Sequence, residues 1–215
     1  MTTIENVKQS IQNYVKSNSE YALLIDGEWG TGKTYFVNKN FFPEIQVNDK
    51  TYTSIYMSVY GCNSLIEVKK KINVSILKNK GFRKMFSDFD KGLDGVGTVQ
   101  KTIGQVPILK DNSIFKGIMK GVSIGLDEIV PYIDEVQLKN QKEKILLFID
   151  DIERLSDDIE MKDFLGLIHS DYIEQLGFKV IFISDTTKLE GKHRCFFDKT
   201  KEKIIDKTIL FEYDN

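Results

Sequence analysis

The chain has 215 residues, 41% hydrophobic and 29% charged, with a formal net charge of -2. That length suits one α/β domain with a sizeable core, and the near-neutral balance supplies no global basic field to recruit nucleic acid. No apolar signal core opens the sequence and no run of eighteen apolar residues exists, so neither secretion nor a membrane span is expected; Cys62 and Cys195, far apart and in no metal-like spacing, fit free thiols in a reducing cytoplasm.

Residues 3–17 read as an amphipathic helix, with Ile4, Val7, Ile11 and Val15 at helical spacing and Tyr14 near its end. Tyr21-Ala22-Leu23-Leu24-Ile25-Asp26 reads as a buried strand, and Tyr35 to Lys39 as the first turns of a helix running from about 32 to 40. Between them lies Gly27-Glu28-Trp29-Gly30-Thr31-Gly32-Lys33-Thr34, a complete G-x-x-x-x-G-K-[ST] loop in the strand–loop–helix context its mechanism needs. The glycines let the backbone curl so that successive N–H groups point at phosphate oxygens, and the helix N-terminus adds partial positive charge. Lys33 brings a full charge for the β- and γ-phosphates and is counted as catalytic for that reason; the Thr34 hydroxyl can hold Mg²⁺. The expected nucleotide-binding set is Gly27, Glu28, Trp29, Gly30, Thr31, Gly32, Lys33, Thr34 and Tyr35.

Residues 51–60 are β-branched and aromatic and predict a strand; 61–64 form a turn, and 65–79 read as helix. Residues 81–140, punctuated by eight glycines from Gly81 to Gly125, predict no strand and read as a helical insertion packed loosely on the core.

Ile145-Leu146-Leu147-Phe148-Ile149 has no polar interruption and predicts a central strand buried on both faces. Asp150 and Asp151 follow at its C-terminal edge, where ligands bind in open α/β sheets. In this Walker B pattern Asp150 would hold Mg²⁺ through water beside Thr34, and Asp151 would orient or deprotonate the attacking water; the pair also suits a helix N-cap. Glu153 and Arg154 read as solvated or mutually paired charges, the alternative being a link to the phosphate loop or a neighbouring subunit. Residues 157–176 predict a helix closed by Gly177. Phe178 to Asp185 predict a third strand with polar groups at its end. In P-loop ATPases with an additional central strand, a polar residue here contacts the γ-phosphate or the water. Ser184, Asp185 and Thr186 compete for that role, with Asp185 the first choice; its alternative is to cap the following turn. A helix near 195–204 and a strand over 208–212 complete the pattern.

The tryptophan inside the loop and the run Phe148-Ile149-Asp150-Asp151-Ile152-Glu153-Arg154-Leu155 together resemble the KAP family of P-loop NTPases, a branch near the AAA+ and STAND ATPases; Tyr56 to Gly61 also resembles that family's second-strand region. The resemblance covers 21–62 and 144–212. It implies a three-layer α/β P-loop fold with a mostly parallel sheet of the additional-strand type. It also implies an ATP- and Mg²⁺-dependent switch or motor, with a homo-oligomer or protein partner. Bacterial members are similar to proteins implicated in defence against phage and plasmids. Such ATPases continue into a helical lid, which is expected to be absent here or to lie beyond Asn215, so the whole of 1–215 reads as one NTPase domain. Arg194 and Lys203 are the candidates for an arginine finger or sensor.

Two other functions compete. A nucleotide-stabilised assembly module with little turnover would carry the same loop. A small P-loop kinase would show an Arg-rich lid, whereas 186–206 offers only Arg194. No N-K-x-D element follows a core strand, which argues against a GTPase.

Overall fold

The computed structural model describes residues 4–47, 50–78 and 144–212. The chain divides into two compact units, Met1–Val68 with Gln141–Asn215, and Lys69–Asn140. The insertion expected over 81–140 lies outside the described residues. The sheet lies wholly in the first unit. Its strands are β1 (Ala22–Asp26), β2 (Glu44–Val47), β3 (Lys50–Ser58), β4 (Lys144–Asp150), β5 (Lys179–Ser184) and β6 (Ile205–Leu210), in the order β2-β3-β4-β5-β1-β6. The β2–β3 pair is antiparallel and every other pair is parallel. The loop-bearing β1 and the Asp150-bearing β4 are therefore separated by one strand, β5, as the additional-strand reading requires.

The continuous apolar runs are buried on both faces, and alternation sorts them. Leu23 and Ile25 of β1, Leu146 and Phe148 of β4, and Ile181 and Ile183 of β5 join one core cluster. That cluster also takes Val7, Ile11, Tyr14 and Val15 of α1 (Ile4–Lys16) and Phe36, Val37 and Phe41 of α2 (Lys33–Phe41). The α1 stripe is thus core packing, and Tyr14 adds a tether: its buried hydroxyl donates to the carbonyls of Val180 and Tyr21. Phe182 of β5 faces the other way, its ring 6.2 Å from Phe164 of α4 (Met161–Leu167). Helices thus cover both faces of the sheet, the three-layer arrangement. α3 (Leu65–Lys78) follows β3, and α5 (Gly191–Ile204) precedes β6.

Four elements depart from the sequence expectation, the last strand among them: expected over 208–212, it runs Ile205–Leu210, directly after α5. β2 is an added hairpin strand directly after Pro43. The helix expected over 157–176 begins at Met161, and from Ile168 to Gln175 it widens into a π-helix. Helix α5 begins four residues early, at Gly191, with His193 turned inward so that its Nε2 lies 2.9 Å from the Ile159 carbonyl.

Candidate phosphate-binding site

The loop from Gly27 to Gly32 links β1 to α2. Gly30 and Gly32 have φ of 82° and 86°, a left-handed region that side chains disfavour, and a Cβ at either would meet nothing within 4 Å. Gly27 is required for a different reason: a Cβ there would lie 2.4 Å from the Phe211 carbonyl oxygen, where the chain leaving β6 crosses the loop base. Lys33 is buried, and its ammonium donates to the carbonyls of Gly27 (2.5 Å) and Glu28 (2.9 Å). Glu28 also accepts at its carbonyl from Thr31 Oγ1 at 2.8 Å. Tyr35 points outward and is 69% exposed, with the Lys39 ammonium 5.7 Å from its ring centre.

The second half of the site meets the first through one carboxylate. Asp150 Oδ2 accepts from Thr34 Oγ1 at 2.7 Å and from the Tyr56 hydroxyl at 2.8 Å, and its Oδ1 accepts from the Asp151 amide at 2.8 Å. Burial pushes the Asp150 carboxyl above its ordinary range, against the opposing pull of those hydrogen bonds. Burial, then the charge of Asp150, also pushes the Tyr56 hydroxyl up, so it stays a donor. Asp151 sits at φ 63°, costly for a non-glycine residue. The left-handed turn aims its carboxylate back across the sheet edge, where Oδ2 accepts from Ser58 Oγ at 2.6 Å and Oδ1 lies 3.8 Å from Arg154 Nη1. Tyr56 and Ser58 were given no role by the sequence reading. The signal was there: they lie two apart on β3, and β3 pairs with β4 so that Ser58 stands opposite Asp150.

Asp185 is fully buried at the end of β5, and both of its oxygens are engaged. Oδ2 accepts from the Trp29 amide at 3.0 Å; Oδ1 accepts from Thr187 Oγ1 at 2.5 Å and the Thr187 amide at 3.2 Å. Burial alone would raise its pKa, but the bonds from Thr187 and Trp29 and the charge of Lys33 outweigh it and hold the carboxyl below the usual range. Among the competitors for the β5 position, Ser184 Oγ donates to Glu153 Oε2 at 2.8 Å, and Thr186 donates by amide and hydroxyl to Asp26 at 2.8 and 2.6 Å.

Glu153 and Arg154 are not merely solvated charges. Glu153 Oε1 accepts from the Trp29 indole at 2.6 Å, and the Arg154 guanidinium lies 4.9 Å from the ring centres of both Trp29 and Tyr60. The loop is therefore pinned twice at Trp29, by Asp185 at the backbone and by Glu153 at the indole. Arg194, a finger candidate, is engaged with Asp198 (2.6 Å) and the Thr186 carbonyl (2.9 Å).

A family model for the KAP family P-loop domain matches residues 2–212. The chain belongs to the KAP family. It is accordingly a P-loop domain of a nucleotide-binding class. The Aeropyrum pernix ORC2 protein, solved as ADPNP-ADP complexes, has TM-score 0.50 at 10% identity, over 97% of this chain and 46% of that one. PCH-2 from C. elegans has TM-score 0.40 at 16% identity, over 98% and 44%. This KAP chain spans less than half the length of these solved proteins. The first likeness shows the shared α/β fold. No curated protein matches in sequence. Among the described residues, no helix is long and apolar enough to cross a membrane.

Proposed function

We propose that this KAP domain binds ATP with Mg²⁺ and hydrolyses it, acting as a nucleotide-driven switch or motor. The observation that carries the reading is the 2.7 Å hydrogen bond from Thr34 to Asp150, which joins the residue after the loop lysine to the carboxylate ending β4. One hydroxyl and one carboxylate suit magnesium, which completes its shell with phosphate oxygens and water. Held by Thr34 and Asp150, the ion would neutralise charge on the β- and γ-phosphates. Lys33 is the fixed counter-charge inside the loop. Asp151 orients the water or takes its proton, with Ser58 setting the direction of its carboxylate. Asp185, first expected to touch the γ-phosphate or the water, acts as a positioning residue that holds the Trp29 amide.

A second reading is a nucleotide-stabilised assembly module with little turnover. It is favoured by the engagement of both Asp151 oxygens with Ser58 and Arg154. On either reading a homo-oligomeric neighbour or protein partner completes the site. A role in defence against phage comes from the family resemblance, and phage challenge of cells carrying Lys33→Ala against the parent chain tests it.

Single-turnover hydrolysis separates the two main readings. Asp151→Asn is expected to bind Mg²⁺–ATP and retain it, with turnover down about 10²-fold or more. Asp150→Asn is expected to weaken the Mg²⁺-dependent part of binding itself. Parent-rate hydrolysis by Asp151→Asn refutes the water-orienting role, and a parent chain that binds ATP without turning it over both alone and when assembled with its neighbour or partner supports the assembly module.

A further inference from the structure

The parallel strands all begin at the sheet edge opposite the phosphate loop. Three neighbours there, β3, β4 and β5, each start with a lysine: Lys50, Lys144 and Lys179. A fourth, Lys16, ends α1. All four line one open cavity of about 340 Å³, bordered by the turn after α1, by Val47 of β2 with Lys50 and Tyr52 of β3, and by the turn before β5. That volume lies at the small end of ligand pockets.

Lys144 stands opposite Tyr52 and Lys179 opposite Leu146, so the three strand lysines are offset by two positions from one another, and like charges gathered this way still repel. Burial and then the charge of Lys144 lower the Lys179 ammonium below its ordinary value. Among the described residues, three carboxylates oppose them. Glu20 and Glu174 also line the cavity, Asp206 acts on Lys179 from β6, and Glu174 is turned toward His169, 3.5 Å away. Among the described residues, no carboxylate forms an ion pair with any of the four lysines.

Two of the four, Lys179 and the exposed Lys144, rest against aromatic rings. Lys179 donates to the Ser19 carbonyl at 2.6 Å and lies 5.0 Å from the Tyr14 ring centre, and Lys144 lies 5.9 Å from that of Tyr52. Four ammonium groups drawn from sequence-distant segments thus surround a small polar cavity.

We propose that this cavity is a second anion site, which takes a small, multiply charged, phosphate-bearing molecule at the pole of the domain opposite the phosphate loop. The four lysines supply the counter-charge, and the rings of Tyr14 and Tyr52 hold two of them in place. The site is independent of ATP hydrolysis.

Inorganic pyrophosphate is the probe, and the phosphate loop must be silenced to read it. In Lys33→Ala, calorimetry is expected to retain one pyrophosphate-binding event that weakens steeply with salt. Adding Lys50→Gln and Lys144→Gln, both exposed positions that leave the core intact, should weaken that event about tenfold for each ammonium removed. The same pair in the parent chain should leave ATP affinity unchanged. Amide resonances of Gly177 and Phe178, rather than those of the loop, should shift on titration. Loss of all pyrophosphate binding in Lys33→Ala overturns the proposal. So does retained binding that is indifferent to Lys50→Gln and Lys144→Gln.

Discussion

Replacing Asp185 with Asn tests whether this residue holds the loop or acts on the reacting groups. The carboxylate is fully buried and accepts from three donors, the Trp29 amide, the Thr187 amide and the Thr187 hydroxyl. An asparagine keeps one oxygen but turns an NH₂ toward either Trp29 or Thr187, so at least one buried donor faces another. A buried group left unsatisfied costs about 1–3 kcal/mol, and the lost charge on the acceptor adds to it, for a total of about 2–4 kcal/mol. With a urea dependence near 2 kcal/mol per molar, the unfolding midpoint should fall by about 1–2 M. The sign of the pH dependence is fixed as well. A carboxyl held below its ordinary value stabilises the fold above the unfolded pKa of about 3.9, and that stability is lost as pH falls through the lower folded value. The gap between parent and variant should be full at pH 7 and close below about pH 4. Urea titrations across that range measure both effects. An unchanged midpoint combined with lost ATP turnover would refute the argument and return Asp185 to the reacting phosphate.

Lys33→Ala should lower ATP affinity about tenfold or more by calorimetry, because charge-assisted bonds of about 1.5–3 kcal/mol are lost. Glu153→Ala removes the acceptor from the indole of the chain's single tryptophan, so Trp29 emission should shift and ATP affinity should fall several-fold. Glu153→Gln, which keeps an oxygen there, should restore both. Because burial raises the Asp150 carboxyl, it takes up its proton at a higher pH than an ordinary aspartate, near 3.9. Mg²⁺-dependent ATP binding should therefore weaken on acidification while pH is still above that value; the same titration of Asp150→Asn should lack this component.

Both halves of the candidate site were legible in the sequence because each is local: a glycine loop between an apolar run and a helix, and a carboxylate pair ending an uninterrupted apolar strand. What joins them was not legible. Trp29 meets Asp185 across 156 positions and Glu153 across 124, and no periodicity encodes such a contact. Glu153 and Arg154 look like ordinary surface charges until β4 and β1 are laid almost side by side. β2 escaped because four residues, Glu44 to Val47, alternate exposed and buried too briefly to stand out. The early start of α5 escaped because Gly191-Lys192-His193 carries no apolar stripe; its inward residue is a histidine whose partner, Ile159, lies 34 positions upstream. The π-helical stretch depends on backbone bonding rather than on residue type, so the spacing of Ile168 and Ile173 still read as α-helix.

The place of β5 between the two site strands has a consequence for synthesis. β1 pairs with β5 and β6 and has no earlier strand as a neighbour. Trp29 therefore leaves the ribosome 156 residues ahead of the Asp185 carboxylate that fixes its amide. At about 5–20 residues per second that interval is roughly ten to thirty seconds. During it the Ala22–Ile25 segment has no strand to pair with, so the nascent chain presents an unpaired apolar edge of the kind that chaperones shield. Nucleotide cannot shorten this exposure, because the pocket it would stabilise is assembled only when β5 arrives.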